Sequence, residues 1–154
     1  MSFEDFRNTD AKDLPVGKLV SMIARGHAIY INHHISGLDI NASQVHLLYE
    51  IACSDNINQE QISARCNINK GAVARSIKKL EDKGLVIRQV DENNRRQNRV
   101  SLTSKGKSTL EKTKEILDEW ERQVIKPKGY IEKELLQQVL KEIAIKTIDL
   151  NHGE

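Results

Sequence analysis

The sequence predicts a mainly α-helical protein with one small β-hairpin, a winged helix-turn-helix set between further helices in the order α-α-α-α-β-β-α-α. Three observations predict this fold class. Apolar residues recur at helical spacing in several segments, two short capped segments are joined by a tight connection, and a hairpin pattern follows the second of them. The length of 154 residues, with 38% hydrophobic and 30% charged residues, corresponds to about one globular domain.

The first two long helices are predicted from apolar periodicity and from a cap signal. Over residues 16–35 the apolar side chains recur at three- and four-residue steps, which is the period of an amphipathic helix. Asn41 then supplies a side-chain cap, with Gln44 three residues later, for a second helix that ends near Cys53. The N-terminal dozen residues show no such pattern and are expected to be loose.

The next two helices form the predicted helix-turn-helix. Asn58 and Gln61 repeat the cap arrangement for a short helix that ends near Arg65. After a three-residue connection, Asn69 caps the second helix, which stops at Gly84 because glycine tolerates the left-handed conformation after a last turn. The buried face of this second helix is predicted to consist of Val73, Ile77 and Leu80.

A β-hairpin and two helices complete the prediction. Residues 85–90 and 98–102 are predicted as strands around a polar, arginine-rich loop at 91–97, and this hairpin is the wing. Thr103 caps a fifth helix, and the last helix spans about residues 131–150. The fifth helix carries a narrow apolar seam of the kind that pairs helices, formed by Leu117, Trp120 and Val124.

Composition excludes several functional classes. No run approaches the ~20 apolar residues of a membrane span, and the acidic N-terminus is unlike a signal peptide, so the protein is expected to be cytoplasmic. Cys53 and Cys66 lack zinc or disulfide spacing and are interpreted as small buried hydrophobes. No catalytic set of nucleophile, base and orienting acid is visible, and no phosphate loop, so neither an enzyme nor a cofactor is predicted.

Charge is concentrated in the middle of the chain. Residues 65–107 hold 12 basic and 4 acidic side chains, whereas residues 1–64 hold 4 and 8 and residues 108–154 hold 8 and 10. The overall net charge of +2 therefore hides a cationic centre between two anionic flanks. This distribution indicates one surface for a polyanion, and its position on the predicted helix-turn-helix and wing indicates double-stranded DNA.

Three sets of residues are predicted to contact DNA. In the major groove the reading helix would present Lys70, Gly71, Ala72, Ala74, Arg75 and Lys78. Arg75 is the predicted base contact, because a guanidinium can bind guanine bidentately and this position lies opposite the buried face. The wing would place Asn94, Arg95, Arg96 and Arg99 at the minor groove. Phosphates would be held by Gln59, Lys79 and Lys105.

These segments together resemble a known family. The stretches at residues 40–44, 69–75, 80–86, 91–96 and 100–106 are similar to motifs of the MarR (multiple antibiotic resistance regulator) family, and the resemblance runs from about residue 16 to the C-terminus. The family has Arg and Asp where Asn93 and Asn94 stand in the wing, and commonly Thr at the position of Ala72. The usual ion pair of the wing is therefore not expected from these two positions.

The resemblance implies a homodimeric winged-helix transcription regulator, with the first and the last two helices forming the dimer layer. It divides the chain into an N-terminal arm and first helix for dimerisation (1–36), a DNA-binding lobe (37–103) and C-terminal dimerisation helices (104–154). It also implies a ligand pocket between the dimer layer and the lobe, often for phenolic or other small aromatic anions.

Residues of the first two long helices are candidates for that pocket. Cationic, hydrogen-bonding and apolar groups are combined in Arg25, His27, Tyr30, His46 and Tyr49. The alternative interpretation is that these are interface and core-edge residues. His27, His33 and His34 also suggest a metal, but no third ligand of fitting spacing is visible, so no metal site is predicted.

Two functions follow from these observations. The first is a repressor whose dimer binds a pseudo-palindromic operator and is released by a small aromatic or phenolic anion. The alternative is an architectural or protein-interaction module that binds DNA weakly and without a specific operator. The two differ in whether the protein prefers a particular DNA sequence over random DNA.

Overall fold

The computed structural model describes residues 2–54, 56–125 and 131–152, with the backbone alone at residues 3, 95, 96 and 152. Seven α-helices, three β-strands and two short 3₁₀ turns occupy these residues. The helices are α1 (Phe3–Asn8), α2 (Val16–His34), α3 (Ala42–Ala52), α4 (Gln59–Cys66), α5 (Lys70–Asp82), α6 (Ser104–Val124) and α7 (Lys133–His152). The strands are β1 (Ile57–Asn58), β2 (Val86–Asp91) and β3 (Asn94–Leu102), and the 3₁₀ turns are Ala11–Asp13 and Ser36–Leu38.

Side-chain caps begin the helices of the lobe, as the sequence predicts. Asn41, Asn58 and Asn69 each accept a hydrogen bond from the backbone N–H three residues later, at 3.0, 2.8 and 2.8 Å. The first two are full capping boxes, because the glutamine three residues on accepts a bond from the cap residue's own N–H. Thr103 caps α6 in the same way, accepting from the N–H of Gly106 at 3.0 Å. The predicted starts of α3 to α6 are thus confirmed.

The hairpin is tighter than predicted and has an additional strand. The expected seven-residue loop is wrong, because β3 begins at Asn94, which pairs with Asp91. A shift in register separates this pair from the regular pairing of β2 with β3, which ends at Val90 and Asn98 as predicted for the two strands. The sequence prediction also misses β1, whose two residues pair antiparallel with Arg99 and Val100 in the strand order β1-β3-β2. A two-residue strand is too short to show an alternation of apolar and polar residues.

The N-terminus is more ordered than predicted. Residues 3–8 form α1, which begins with a capping box in which Ser2 and Asp5 exchange backbone-to-side-chain hydrogen bonds of 2.7 and 3.1 Å. The bond from the N–H of Ser2 to the carboxylate lowers the pKa of Asp5, because it favours the charged form of the carboxyl. The expectation that the first twelve residues are loose is therefore wrong for residues 3–8. The sequence signal of this helix is its capping box, because the segment has no apolar periodicity.

Two apolar cores hold the chain together. The larger core joins α3, α4, α5 and the sheet and includes the predicted buried face of α5, where Val73, Ile77 and Leu80 are at most 1% exposed. The smaller core joins α2 to α3 through Ile31, Ile35, Ala42 and Val45, with α6 packed against it. Helix α3 takes part in both cores and thereby connects the lobe with α2 and α6.

Large apolar side chains remain exposed on α2 and α7. On α7 the exposed residues are Leu135, Val139, Leu140, Ile143, Ile145 and Leu150, and on α2 they include Val16, Val20, Ile23 and Ile29. The three residues of the predicted apolar seam on α6 do not share one environment. Leu117 packs on the smaller core and Trp120 packs on His27. Val124 is the one of the three that is exposed, at 59%. In the part of the chain described, no helix has both the length and the apolar character needed to cross a bilayer.

The start of α6 is packed tightly against the end of α5. The backbone N–H of Thr103 donates to the carbonyl of Leu85 at 3.1 Å, and its hydroxyl donates to the carbonyl of Gly84 at 2.6 Å. Gly84 has a φ of 71°, the left-handed conformation predicted for the end of the helix. Gly106 is buried against the same segment, where an added β-carbon would overlap the carbonyl oxygen of Leu85.

Gly106→Ala is expected to lower the free energy of unfolding by about 1–3 kcal/mol, because the new methyl group must push α6 away from the backbone of Leu85. Gly17→Ala is the matched control, since a β-carbon there meets nothing within 4 Å. That control is expected to change stability by less than about 1 kcal/mol. Urea unfolding at equal protein concentration measures both variants, and equal stability of the two would contradict the close contact.

Candidate nucleic-acid interface

The outer face of α5 is polar and cationic along its length. Lys70, Gly71, Arg75, Lys78 and Lys79 are exposed, whereas Ala72 and Ala74 are half-buried at the edges of the face. This face lies opposite the buried stripe of the same helix, as the spacing predicts. The six residues predicted for the major groove therefore lie on one helix. Four of them are exposed to solvent, and the two alanines lie at the border of the exposed face.

Arg75 lies over the first turn of α5. A β-carbon built on Gly71 would be 3.4 Å from Nη1 of Arg75 and 3.5 Å from Oδ1 of the cap residue Asn69. The guanidinium therefore extends toward the N-terminal end of the helix, the part of a reading helix that contacts base edges. The absence of a side chain at Gly71 leaves room for this arrangement.

Both lysines predicted for the major groove have carboxylate partners within the protein. Nζ of Lys78 lies 2.8 Å from Oδ1 of Asp82, and Lys70 pairs with Glu60 of α4. The hydrogen bond from Lys70 holds the pKa of the Glu60 carboxyl below its usual value. Water and salt screen such exposed pairs, which therefore contribute little to stability, so a phosphate can compete for either lysine.

The wing is stabilised by an ion pair that the sequence alone does not predict. Nε of Arg99 donates to Oδ2 of Asp91 at 3.0 Å, and Nη1 donates to the carbonyl of Asn56 at 3.4 Å. The other carboxylate oxygen of Asp91 accepts from the N–H of Asn93 at 3.0 Å. This N–H, with the guanidinium of Arg99, lowers the pKa of the Asp91 carboxyl. Arg99, predicted at the minor groove, thus also joins the two strands of the hairpin.

The remaining wing residues lie at the start of β3. Asn94 is exposed there, and the backbone of Arg95 and Arg96 continues the strand. The side chains of Arg95 and Arg96 are outside the described part of the structure. The predicted tip arginines therefore belong to the strand that follows the two-residue turn, rather than to a long loop.

The three predicted phosphate ligands differ in their surroundings. Gln59 is half-buried in the first turn of α4, and Lys79 is exposed on α5. Lys105 instead donates to the carbonyl of Lys83 at 2.8 Å, where it caps the C-terminal end of α5. A cation at this end of a helix is favoured by the exposed carbonyls and the helix dipole.

A second ion pair, also not predicted from the sequence, joins α5 to the wing. Arg88 on β2 donates from Nε and Nη2 to one carboxylate oxygen of Glu81, at 3.1 and 2.6 Å. Both side chains are about one quarter to one third exposed, at 26% and 30%. The hydrogen bonds from Arg88 lower the pKa of the Glu81 carboxyl. The sequence signal that could have indicated this pair is the presence of opposite charges, Glu81 and Arg88, on either side of the turn at Gly84.

The residues predicted for a ligand pocket are not all brought together. His46 and Tyr49 line a cavity of about 440 Å³ between α3 and the turn joining α4 to α5. The ring of His27 lies 6.0 Å from that of His46 but does not line the cavity, and it is edge-on to Trp120 with centroids 4.4 Å apart. Tyr30 stacks on His34 at 3.9 Å. Burial, together with His46, lowers the pKa of His27. Arg25 is exposed on α2 and is not among the residues lining this cavity.

The two cysteines differ in exposure. Cys66 is half-buried, and burial raises the pKa of its thiol. Cys53 is exposed, so its interpretation as a buried hydrophobe is wrong. The physical reason is its position, because Cys53 follows the last residue of α3 where the chain turns away from the core. Among the residues with described positions, no group of three or more His, Cys, Asp or Glu side chains is placed to hold a metal ion.

Comparisons with known proteins agree on one family. The model of the MarR family matches residues 40–97. The multiple antibiotic resistance protein MarR of Salmonella typhimurium is 30% identical over 98 residues, which cover 64% of this chain and 68% of that protein. The crystal structure of a MarR transcriptional regulator from Methanosarcina mazei is 34% identical, with a TM-score of 0.81 and coverage of 88% of this chain and 97% of that one. A mutant MarR from Escherichia coli complexed with operator DNA is 26% identical, with a TM-score of 0.74 and coverage of 88% and 99%.

The Glu81–Arg88 pair is expected to make stability depend on pH in the acid range. Because the pKa of Glu81 is lowered in the folded state, the pair stabilises the protein above the unfolded-state pKa of about 4.5 and is lost as the pH falls through the folded value. Glu81→Gln should therefore reduce the fall in unfolding free energy below about pH 4.5. Glu115→Gln on α6 is the control, and an acid dependence of Glu81→Gln equal to that of the wild type would argue against the pair.

Proposed function

Because the chain belongs to the MarR family, we propose that it is a transcriptional regulator, rather than an enzyme, that binds operator DNA. Helix α5 would enter the major groove and the β2–β3 hairpin would reach the neighbouring minor groove. The observation that carries this proposal is the exposed cationic face of α5, with Arg75 lying over Gly71 directly opposite the buried stripe of the same helix.

Contacts with bases and with phosphates are assigned to different side chains. Arg75 is the proposed base contact, since its guanidinium lies near the N-terminal end of α5 and has no carboxylate partner among the described residues. Lys70 and Lys78 would exchange their carboxylate partners for phosphates, and Lys79 would bind phosphate directly. At the wing we assign the minor-groove contact to Arg95 and Arg96, with Asn94 at the start of the strand.

The functional form of the protein is proposed to be a homodimer. The apolar residues of α7 are exposed, among them Leu135 at 53% and Leu150 at 77%. Within the described residues, this helix makes one ion pair, between Lys133 and Glu121 of α6. A helix with this many exposed apolar side chains is typical of an interface. Together with the apolar residues of α2, it supports a dimer layer formed by segments 1–36 and 104–154, leaving 37–103 as the DNA-binding lobe. A dimer would present two copies of α5 to the two halves of a pseudo-palindromic site.

Repression and ligand release are the finer part of the proposal. A repressor would be released from DNA when a small aromatic molecule favours a form of the dimer that no longer fits two successive major grooves. The cavity beside α5 supports an aromatic ligand, because His46 and Tyr49 contribute rings to its wall. The negative charge predicted for the ligand needs a cation such as Arg25, which does not line that cavity.

Arg75→Ala is expected to weaken operator binding by about 1–3 kcal/mol and to relax the preference at one base pair of each half-site. Selection from a pool of random duplexes, followed by fluorescence anisotropy on the selected site, measures both effects. Lys114→Ala, on the exposed face of α6, is the control that removes a cation away from α5. A wild-type protein with no sequence preference in the same selection would favour the architectural alternative over a specific regulator.

Leu140→Glu is expected to shift the protein from dimer to monomer, because a charge would be buried in the proposed interface without a partner. Sedimentation velocity at equal concentrations measures this change. Lys141→Glu introduces the same side chain at the next position of α7 and serves as the control. A wild-type protein that sediments as the 17.5 kDa monomer would contradict the dimer.

A further inference from the structure

The cavity beside the reading helix has one wall formed by a single face of α3. Ser43, His46, Leu47 and Glu50 follow each other at steps of three, one and three residues, the spacing of one helix face, and Tyr49 lies beside them. The opposite wall comes from the end of α4, the following turn and α5, and consists of Cys66, Ile68, Val73 and Ser76. A volume of about 440 Å³ is within the range of pockets that hold small organic ligands.

The charge of this cavity is negative. Glu50 is half-buried, and it is the one acidic residue among the nine that line the cavity, which include neither Lys nor Arg. Within the described residues, Glu50 has no ion-pair partner and no side-chain hydrogen bond. Arg65 of the neighbouring helix donates instead to Ser54 at 2.6 Å and does not line the cavity.

The field of Glu50 reaches the opposite wall. Burial is the main cause that raises the pKa of the Cys66 thiol. The negative charge of Glu50 raises it further, and the smaller opposing effect of the Arg65 cation lowers it. The same field disfavours a second anion in this space. A neutral apolar ligand would also remove water from a half-buried carboxylate without replacing its hydrogen bonds, which carries a free-energy cost.

The other lining groups suit an organic cation with an apolar body. Tyr49 provides an aromatic ring that can lie against a cationic head, and such cation–π contacts are strongest where water is excluded. Leu47, which is 4% exposed, and Val73, which is 1% exposed, provide apolar surface. We propose that the cavity binds an aromatic organic monocation, with an ammonium group at Glu50 and its apolar body between α3 and α5.

The position of the cavity couples this ligand to DNA binding, and this step rests on the function proposed above. Val73 and Ser76 belong to the inner side of α5, and Arg75 lies between them in sequence on the outer side. A ligand body between α3 and α5 changes the distance between the two helices and therefore the position of the reading face. The release of DNA then follows from tighter ligand binding to the displaced form.

Three compounds with one apolar body and different head groups test the charge of the ligand. They are 4-phenylbutyltrimethylammonium, 4-phenylbutanol and 4-phenylbutanesulfonate. Calorimetric titration of the free full-length protein at pH 8, where histidine side chains are in general neutral, measures their affinities. The ammonium compound is expected to bind at least tenfold more tightly than the sulfonate. Glu50→Gln is expected to remove most of that difference, whereas Glu115→Gln, an equal loss of charge on the exposed face of α6, leaves it unchanged.

The outcomes separate the cavity from the proposed regulation. Equal or tighter binding of the sulfonate, no measurable binding of the ammonium compound, or an unchanged affinity in Glu50→Gln would each overturn the assignment. The unfolding midpoint of Glu50→Gln, compared with the wild type, shows whether the variant is folded. Anisotropy on operator DNA then measures release: cation-dependent release supports the coupling, and cation binding without release overturns it. If the wild-type protein binds no specific DNA sequence, the proposed regulatory function is wrong. The calorimetric titrations would still show whether the cavity binds the cation.

Discussion

The contact between the backbone of Leu85 and the first turn of α6 is the constraint on which the arrangement of the molecule depends. Gly106 permits this approach, since a side chain there would overlap the Leu85 carbonyl oxygen. Thr103 and Lys105 add hydrogen bonds to the carbonyls of Gly84 and Lys83. The end of the reading helix, the start of the hairpin and the start of the long helix α6 therefore meet in one place. The start of α6 is therefore in direct contact with both elements proposed to touch DNA.

Carboxylates organise the cationic surface around that junction. Glu81 joins α5 to β2 through Arg88, and Asp91 joins the two strands of the wing through Arg99. Each pair lies across two neighbouring elements and so fixes their relative position. The acidic residues within the basic segment therefore hold the hairpin and the reading helix in the orientation that the proposed DNA complex requires.

The elements with local signals could be predicted from the sequence. Asn41, Asn58, Asn69 and Thr103 mark helix starts because the cap and its partner lie within three residues of each other. The strand at Ile57 depends on pairing with Val100, which is distant in sequence, and could not be recognised.

The residues of the candidate site also differ in whether local sequence signals could predict them. The cationic face of α5 follows from helical spacing alone, whereas the partners of Arg88 and Arg99 depend on how the hairpin folds back. The ligand residues were the least predictable, because Arg25 and His27 lie on α2 and the opposite wall of the cavity comes from α4 and α5.

The intramolecular partners of the basic side chains also have a thermodynamic consequence for binding to a polyanion. Arg88 and Arg99 face carboxylates, and Lys83 and Lys105 donate to backbone carbonyls at helix ends. Association with DNA releases condensed counterions in proportion to the phosphates that are neutralised. The 12 basic residues of the central segment thus overstate the number of ions released. The affinity for DNA should therefore depend less steeply on ionic strength than the number of basic residues suggests. A larger share of the binding free energy then comes from directional contacts.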